Sequence, residues 1–103
     1  MEIVHVGWCR DGVHDKVWGI ILLSAGLLDR FGFPCNKYAS FWGRRGGKLQ
    51  TKIFEDSEWA VKEMFQKKLD KGYKKINPDD LDRVYPEFRE DLEKTAVWAI
   101  LSS

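Results

Sequence analysis

Three aromatic rings and four cations fall on one short stretch of this chain: Tyr38, Phe41, Trp42, Arg44, Arg45, Lys48 and Lys52. The chemistry open to such a set is recognition of a polyanion that carries flat rings. Guanidinium and ammonium groups neutralise phosphates and release counterions, and an indole offers a face to a sugar or a base. Side chains alternate along an extended segment, so Trp42 and Arg44 share one face while Phe41, Gly43 and Arg45 share the other. Only one set can meet a given partner. Trp42 with Arg44 is the pair to choose, with Gly43 between them leaving the backbone open to close approach. Trp42 would stack, Arg44, Lys48 and Lys52 would take phosphates, and Lys37 and Arg45 would support them. Four to six phosphate contacts would give a log-log salt slope of about −4 to −5. The same residues also suit blander roles, Trp42 as a packed hairpin aromatic and the cations as a solvated face.

Other constellations carry less. His5, Cys9, His14 and Cys35 could be gathered into a zinc site, but the chain has no close Cys-x-x-Cys or His-x-x-x-His pair, and His5 and Cys9 read as sheet residues. Asp79, Asp80, Asp82, Glu87, Glu90, Asp91 and Glu93 fall among helix-cap and surface positions without a ligand loop, which reads as a solvated helix face. That acidic segment could also lie over the basic hairpin and inhibit it, in which case deleting 77–103 would raise affinity. No Gly-x-Gly-x-x-Gly, Walker loop or Ser/His/Asp spacing is present, so the expectation is no enzyme, no cofactor and no metal.

The elements that must position Trp42 and Arg44 follow from patterning. Alternation and β-branched residues predict strands over 2–10 and 16–24, with Asp11-Gly12 as the turn. Gly26, Gly32 and Pro34 punctuate a connection over 25–36, and a third strand runs over 37–45. Gly46-Gly47 can adopt positive φ at both central positions of a hairpin, so 48–54 should return antiparallel. Asp56 and Ser57 as N-cap candidates and Gly72 as C′ residue bracket a helix at 57–71, with Val61, Phe65 and Leu69 as its apolar stripe. Asn77-Pro78 reads as a cap with proline in the first turn, Pro86 opens a last helix in which Phe88, Leu92, Ala96 and Ala99 lie three or four apart, and 95–101 fits either a helix or a closing strand. Strands first and helices after them predict an α+β domain: an antiparallel sheet of four or five strands, one main helix on one face, and a C-terminal helical extension over 77–103. The second face of the sheet is left for solvent, for that extension or for a ligand.

At 103 residues the chain can build one core. The net charge of +1 names no partner, but residues 36–75 hold eleven basic side chains against five acidic ones, and 76–103 hold three against seven. Two cysteines in a chain that is 44% hydrophobic suit reduced thiols. The longest apolar stretch, 17–28, is broken by Gly19, Ser24 and Gly26 and is shorter than the ~20 residues a membrane span needs. The first residues lack the positive charge of a signal peptide, so a cytoplasmic location is expected.

The string Phe41-Trp42-Gly43-Arg44-Arg45-Gly46-Gly47-Lys48-Leu49-Gln50, followed by Lys52-Ile53-Phe54, resembles the signature of the WGR domain family, named for its Trp-Gly-Arg tripeptide. Asp15 to Leu23 is similar to the family's strand before the motif. Ala60 to Lys68 with Gly72-Tyr73 resembles its helix and closing aromatic, so the resemblance covers about 15–76. Leu49 stands where the family has a second motif glycine, and Asp15 where it often has asparagine. The resemblance implies a small sheet-and-helix module that accompanies DNA-dependent poly(ADP-ribose) polymerases and also occurs in bacterial and phage proteins. There the motif tryptophan stacks on a terminal sugar and the arginine serves DNA or domain contacts, roles that map onto Trp42 and Arg44. The leading expectation is therefore a non-enzymatic nucleic-acid-binding module, for DNA ahead of RNA. The alternative is a protein-interaction module or small inhibitor that docks its positive hairpin on an acidic partner or a nucleic-acid-handling enzyme.

Overall fold

A computed structural model describes residues 1–102; Ser103, the last residue of the expected domain, lies outside them. Four strands, β1 (Glu2–Asp11), β2 (His14–Leu28), β3 (Pro34–Arg44) and β4 (Gln50–Asp56), form consecutive antiparallel hairpins. After helix α1 (Glu58–Asp70), a two-residue strand β5 (Lys74–Lys75) pairs with β1 and completes a five-stranded sheet in the order β4-β3-β2-β1-β5. A 3₁₀ turn at Pro78–Asp80 leads into three short helices, α2 (Leu81–Val84), α3 (Phe88–Glu93) and α4 (Trp98–Leu101). Segment 95–101, open between helix and strand in the sequence, is a turn over 95–97 followed by helix α4, and forms no strand.

The sheet is covered on both faces, and alternation along each strand decides what goes where. Trp18, Ile20 and Tyr38 meet Val61 and Phe65 of α1 in one core. The interleaved Val17, Ile21, Ala39 and Phe41 meet Leu81, Tyr85, Phe88 and Leu92 in the other. The C-terminal extension is thus the second layer of the sandwich. It packs rings on rings: Phe88 lies 4.9 Å from Phe41 and 5.6 Å from Tyr85.

Helix α1 begins where Ser57 accepts a hydrogen bond from the Ala60 amide and ends at Gly72, whose φ of +108° only glycine adopts readily. The Tyr73 and Gly72 amides return to the Lys68 and Leu69 carbonyls, a Schellman closure that drops Tyr73 back onto the sheet. The room for it is made by Gly7, where a Cβ would meet Tyr73 Cβ at 3.3 Å.

Two boundaries differ from expectation. Strands β2 and β3 reach Leu28 and start at Pro34, so the connection expected over 25–36 is a long hairpin with a tip at 29–33. Gly26 at φ +75° and the register shifts between Leu22 and Leu27 bend the strand without ending it, and Pro34, at the first position of β3, interrupts no ladder. The turn after β3 is not a two-residue Gly-Gly reversal either. Of the two glycines Gly46 alone has positive φ, and 45–49 form a loop because Leu49, expected in the strand, turns inward to the C-terminal core.

Candidate functional site

Cross-strand pairing sets the site. Trp42 on β3 stands opposite Trp18 on β2 and Gln50 on β4, while Arg44 stands opposite Lys16. Directly paired residues share a face, so Lys16, Trp42, Arg44 and Gln50 all lie on the α1 side. There the helix has already ended and the sheet runs on beyond it. Lys52, two residues from Gln50, shares this face as well. Trp42 is half-buried: one part of its indole packs in the α1 core, and another borders an open groove of 370 Å³ lined also by Val13, His14, Lys16, Arg44 and Tyr73. Lys68, in the last turn of α1, holds its ammonium 5.7 Å from the Trp18 ring and 6.0 Å from Tyr73, adding a cation at the helix edge of this surface. Arg44 is exposed and, among the described residues, makes no ion pair.

The neighbouring cation has the opposite fate. Arg45 points to the other face, where its guanidinium bonds Asp15 at 3.0 Å, donates to the Val84 carbonyl at 2.6 Å and lies 4.7 Å from the Trp8 ring. It ties the loop to α2 and is held on the face of the sheet away from Trp42. Asp15 also accepts from the Trp8 indole N–H. Burial pushes Asp15 up, but that hydrogen bond and the Arg45 guanidinium outweigh it and hold the carboxyl below its usual range. Its charge is thereby spent inside the molecule.

Gly43 is close-packed by the chain itself. At φ +149°, a Cβ there would sit 2.9 Å from the Lys48 carbonyl oxygen. The close approach expected for a ligand is thus made by the loop's own backbone. Lys48 is exposed on that loop, outside the strand. Lys37 pairs with Glu55 and, counting alternation from Trp42, faces away from it. At five residues along β3 it lies about 17 Å distant. So the structure unites Trp42, Arg44 and Lys52, adds Lys16, Lys68 and Tyr73, and separates Lys37 and Arg45. The acidic extension does not lie over the basic face, because it packs beneath the opposite side of the sheet. Among the described residues, its two ion pairs, Arg83 with Asp80 and Lys94 with Asp91, are internal to it.

The remaining titratable candidates serve packing. His5 stacks on Phe65 at 4.9 Å, and burial, then Lys75 and Lys62, hold its imidazole below the ordinary range against a small opposing effect of Glu58. Cys35 is buried, and its thiol is pushed up by burial and by Glu55, Asp29 and Asp56. Among the described residues no three His, Cys, Asp or Glu side chains gather as a metal site, and no helix is long and apolar enough to cross a membrane.

No family model matches the chain, and comparison with curated proteins and with solved structures finds no match.

Proposed function

We propose that this chain is a non-enzymatic nucleic-acid-binding module of the WGR type, for DNA ahead of RNA, and that it binds through the α1-side end of its sheet. The observation that carries the reading is the pairing of a partly exposed indole, Trp42, with an unneutralised guanidinium, Arg44, on the rim of one groove. Around them Lys16, Lys52 and Lys68 supply further cations on the same side. Trp42 stacks on a sugar or base, held by its buried half so that little freedom is lost on binding. Arg44, Lys16, Lys52 and Lys68 neutralise phosphates.

The test is a salt-titrated binding panel of single-stranded DNA, duplex DNA and RNA. Four phosphate contacts give a log-log slope of about −3 on a single strand and about −4 on a duplex, at the shallow end of the expectation from sequence, since Lys37, Arg45 and Lys48 leave the set while Lys16 and Lys68 enter it. Trp42→Ala should weaken binding by about 5- to 150-fold, the ~1–3 kcal/mol of one stacked base. An affinity indifferent to salt would refute the reading.

A further inference from the structure

The opposite end of the same hairpin is built to be exposed. Leu28, Phe31 and Phe33 are 68%, 70% and 66% open to solvent, and Trp59, at the start of α1, is 69% open. Scattered apolar residues on a surface mean little, but Leu28, Phe31 and Phe33 crown one loop, and that loop is held stiff. The Asp29 carboxylate accepts from the Phe31 and Phe33 amides at 2.8 and 2.9 Å, the Asp29 amide returns to the Phe33 carbonyl at 2.9 Å, and the Gly32 amide to the Asp29 carbonyl at 3.0 Å. Four hydrogen bonds thus preorganise two phenyl rings for contact. Their surroundings are acidic. Asp29 and Phe33 share a shallow depression with Glu55 and Asp56, and Glu58 follows in the first turn of α1. Arg30, the one cation of the tip, lies over the Phe31 ring at 4.8 Å.

An apolar knob rimmed by carboxylates repels phosphate and asks for an apolar recess rimmed by cations. This chain presents such a recess at its other end: the groove between Trp42 and Tyr73, bordered by Lys16, Arg44 and Lys68, whose one acidic lining residue, Asp15, is paired with Arg45 and Trp8. The knob cannot reach its own groove, since Cys35 and Trp42 are separated by about 23 Å of straight strand. A second copy can bring them together. We propose that the tip at Phe31 and Phe33 docks in the Trp42–Tyr73 groove of another molecule of this chain, head to tail. Such a contact is heterologous, so a pair keeps one free groove on one copy and one free knob on the other, and association continues into short open chains or closes into a ring.

The contact needs no nucleic acid, so its test is made without any and leaves the preceding reading independent. Sedimentation velocity over a concentration series at about 50 mM salt should show a mass rising beyond that of a dimer, and about 500 mM salt should weaken it by tenfold or more. Phe31→Ser/Phe33→Ser, in exposed positions, and Arg44→Glu should each remain monomeric. Mixed together, these two variants should form a dimer and stop there, because only one intact knob and one intact groove are left to meet. A wild type that stays monomeric throughout, association that survives in either variant, or a mixture that does not pair would overturn the proposal.

Discussion

Arg44 and Arg45 are adjacent, identical in charge and different in every consequence, because alternation sends one to the groove and the other to the underside of the sheet. Arg45→Ala strips Asp15 of its cation and the Val84 carbonyl of its donor, so it should lower stability by about 1–3 kcal/mol in a urea melt. Arg44→Ala should change stability by no more than about 0.5 kcal/mol and affect binding alone. Acid unfolding reads the same network. Asp15 is held below its unfolded value, so the stability it contributes is complete above about pH 4 and is lost as pH falls through its lowered native value. Asp15→Asn should remove that part of the acid transition. His5 titrates in the other window: its native imidazole resists protonation, so stability drops as pH falls below about 6.5, and His5→Gln should flatten stability between neutral pH and the lowered native value.

At the scale of elements, the close approach of β1, β2 and the C-terminal layer hinges on Gly19. A Cβ there would stand 2.3 Å from Phe41 Cζ and 2.9 Å from the His5 carbonyl oxygen, so Gly19→Ala should cost about 3 kcal/mol or more. Removing 77–103 should abolish cooperative thermal unfolding, since Tyr85, Phe88 and Leu92 are the other half of the Phe41 core. This is the reverse of the gain in affinity expected from an acidic lid. Much of the architecture was legible from local signals: Ser57 and Gly72 marked α1, and alternation through Trp42 and Arg44 assigned their common face. What was not legible depended on contacts distant in sequence. Leu49 reads as a strand residue until Leu81 and Phe88 are there to draw it inward. Lys16 looks like any strand charge until register sets it against Arg44, and Lys68 reads as a solubilising lysine until Gly72 folds Tyr73 back beside it.

Over the whole molecule the charges are sorted. The C-terminal end of α1, the start of β2, the end of β3 and the first half of β4 gather Lys16, Arg44, Lys52 and Lys68, while the start of α1, the end of β4 and the hairpin tip gather Asp29, Glu55, Asp56 and Glu58. The acidic extension forms a third region beneath the sheet. A net charge of +1 therefore conceals a basic end, which a chain read only by its totals would not disclose. Backbone amide shift mapping by NMR, during titration with a short oligonucleotide, tests the central claim most directly. The account predicts that shifts concentrate at residues 13–16, 42–44, 50–52, 68 and 73. Shifts confined instead to residues 81–98 on the opposite face, or none at low salt, would contradict it.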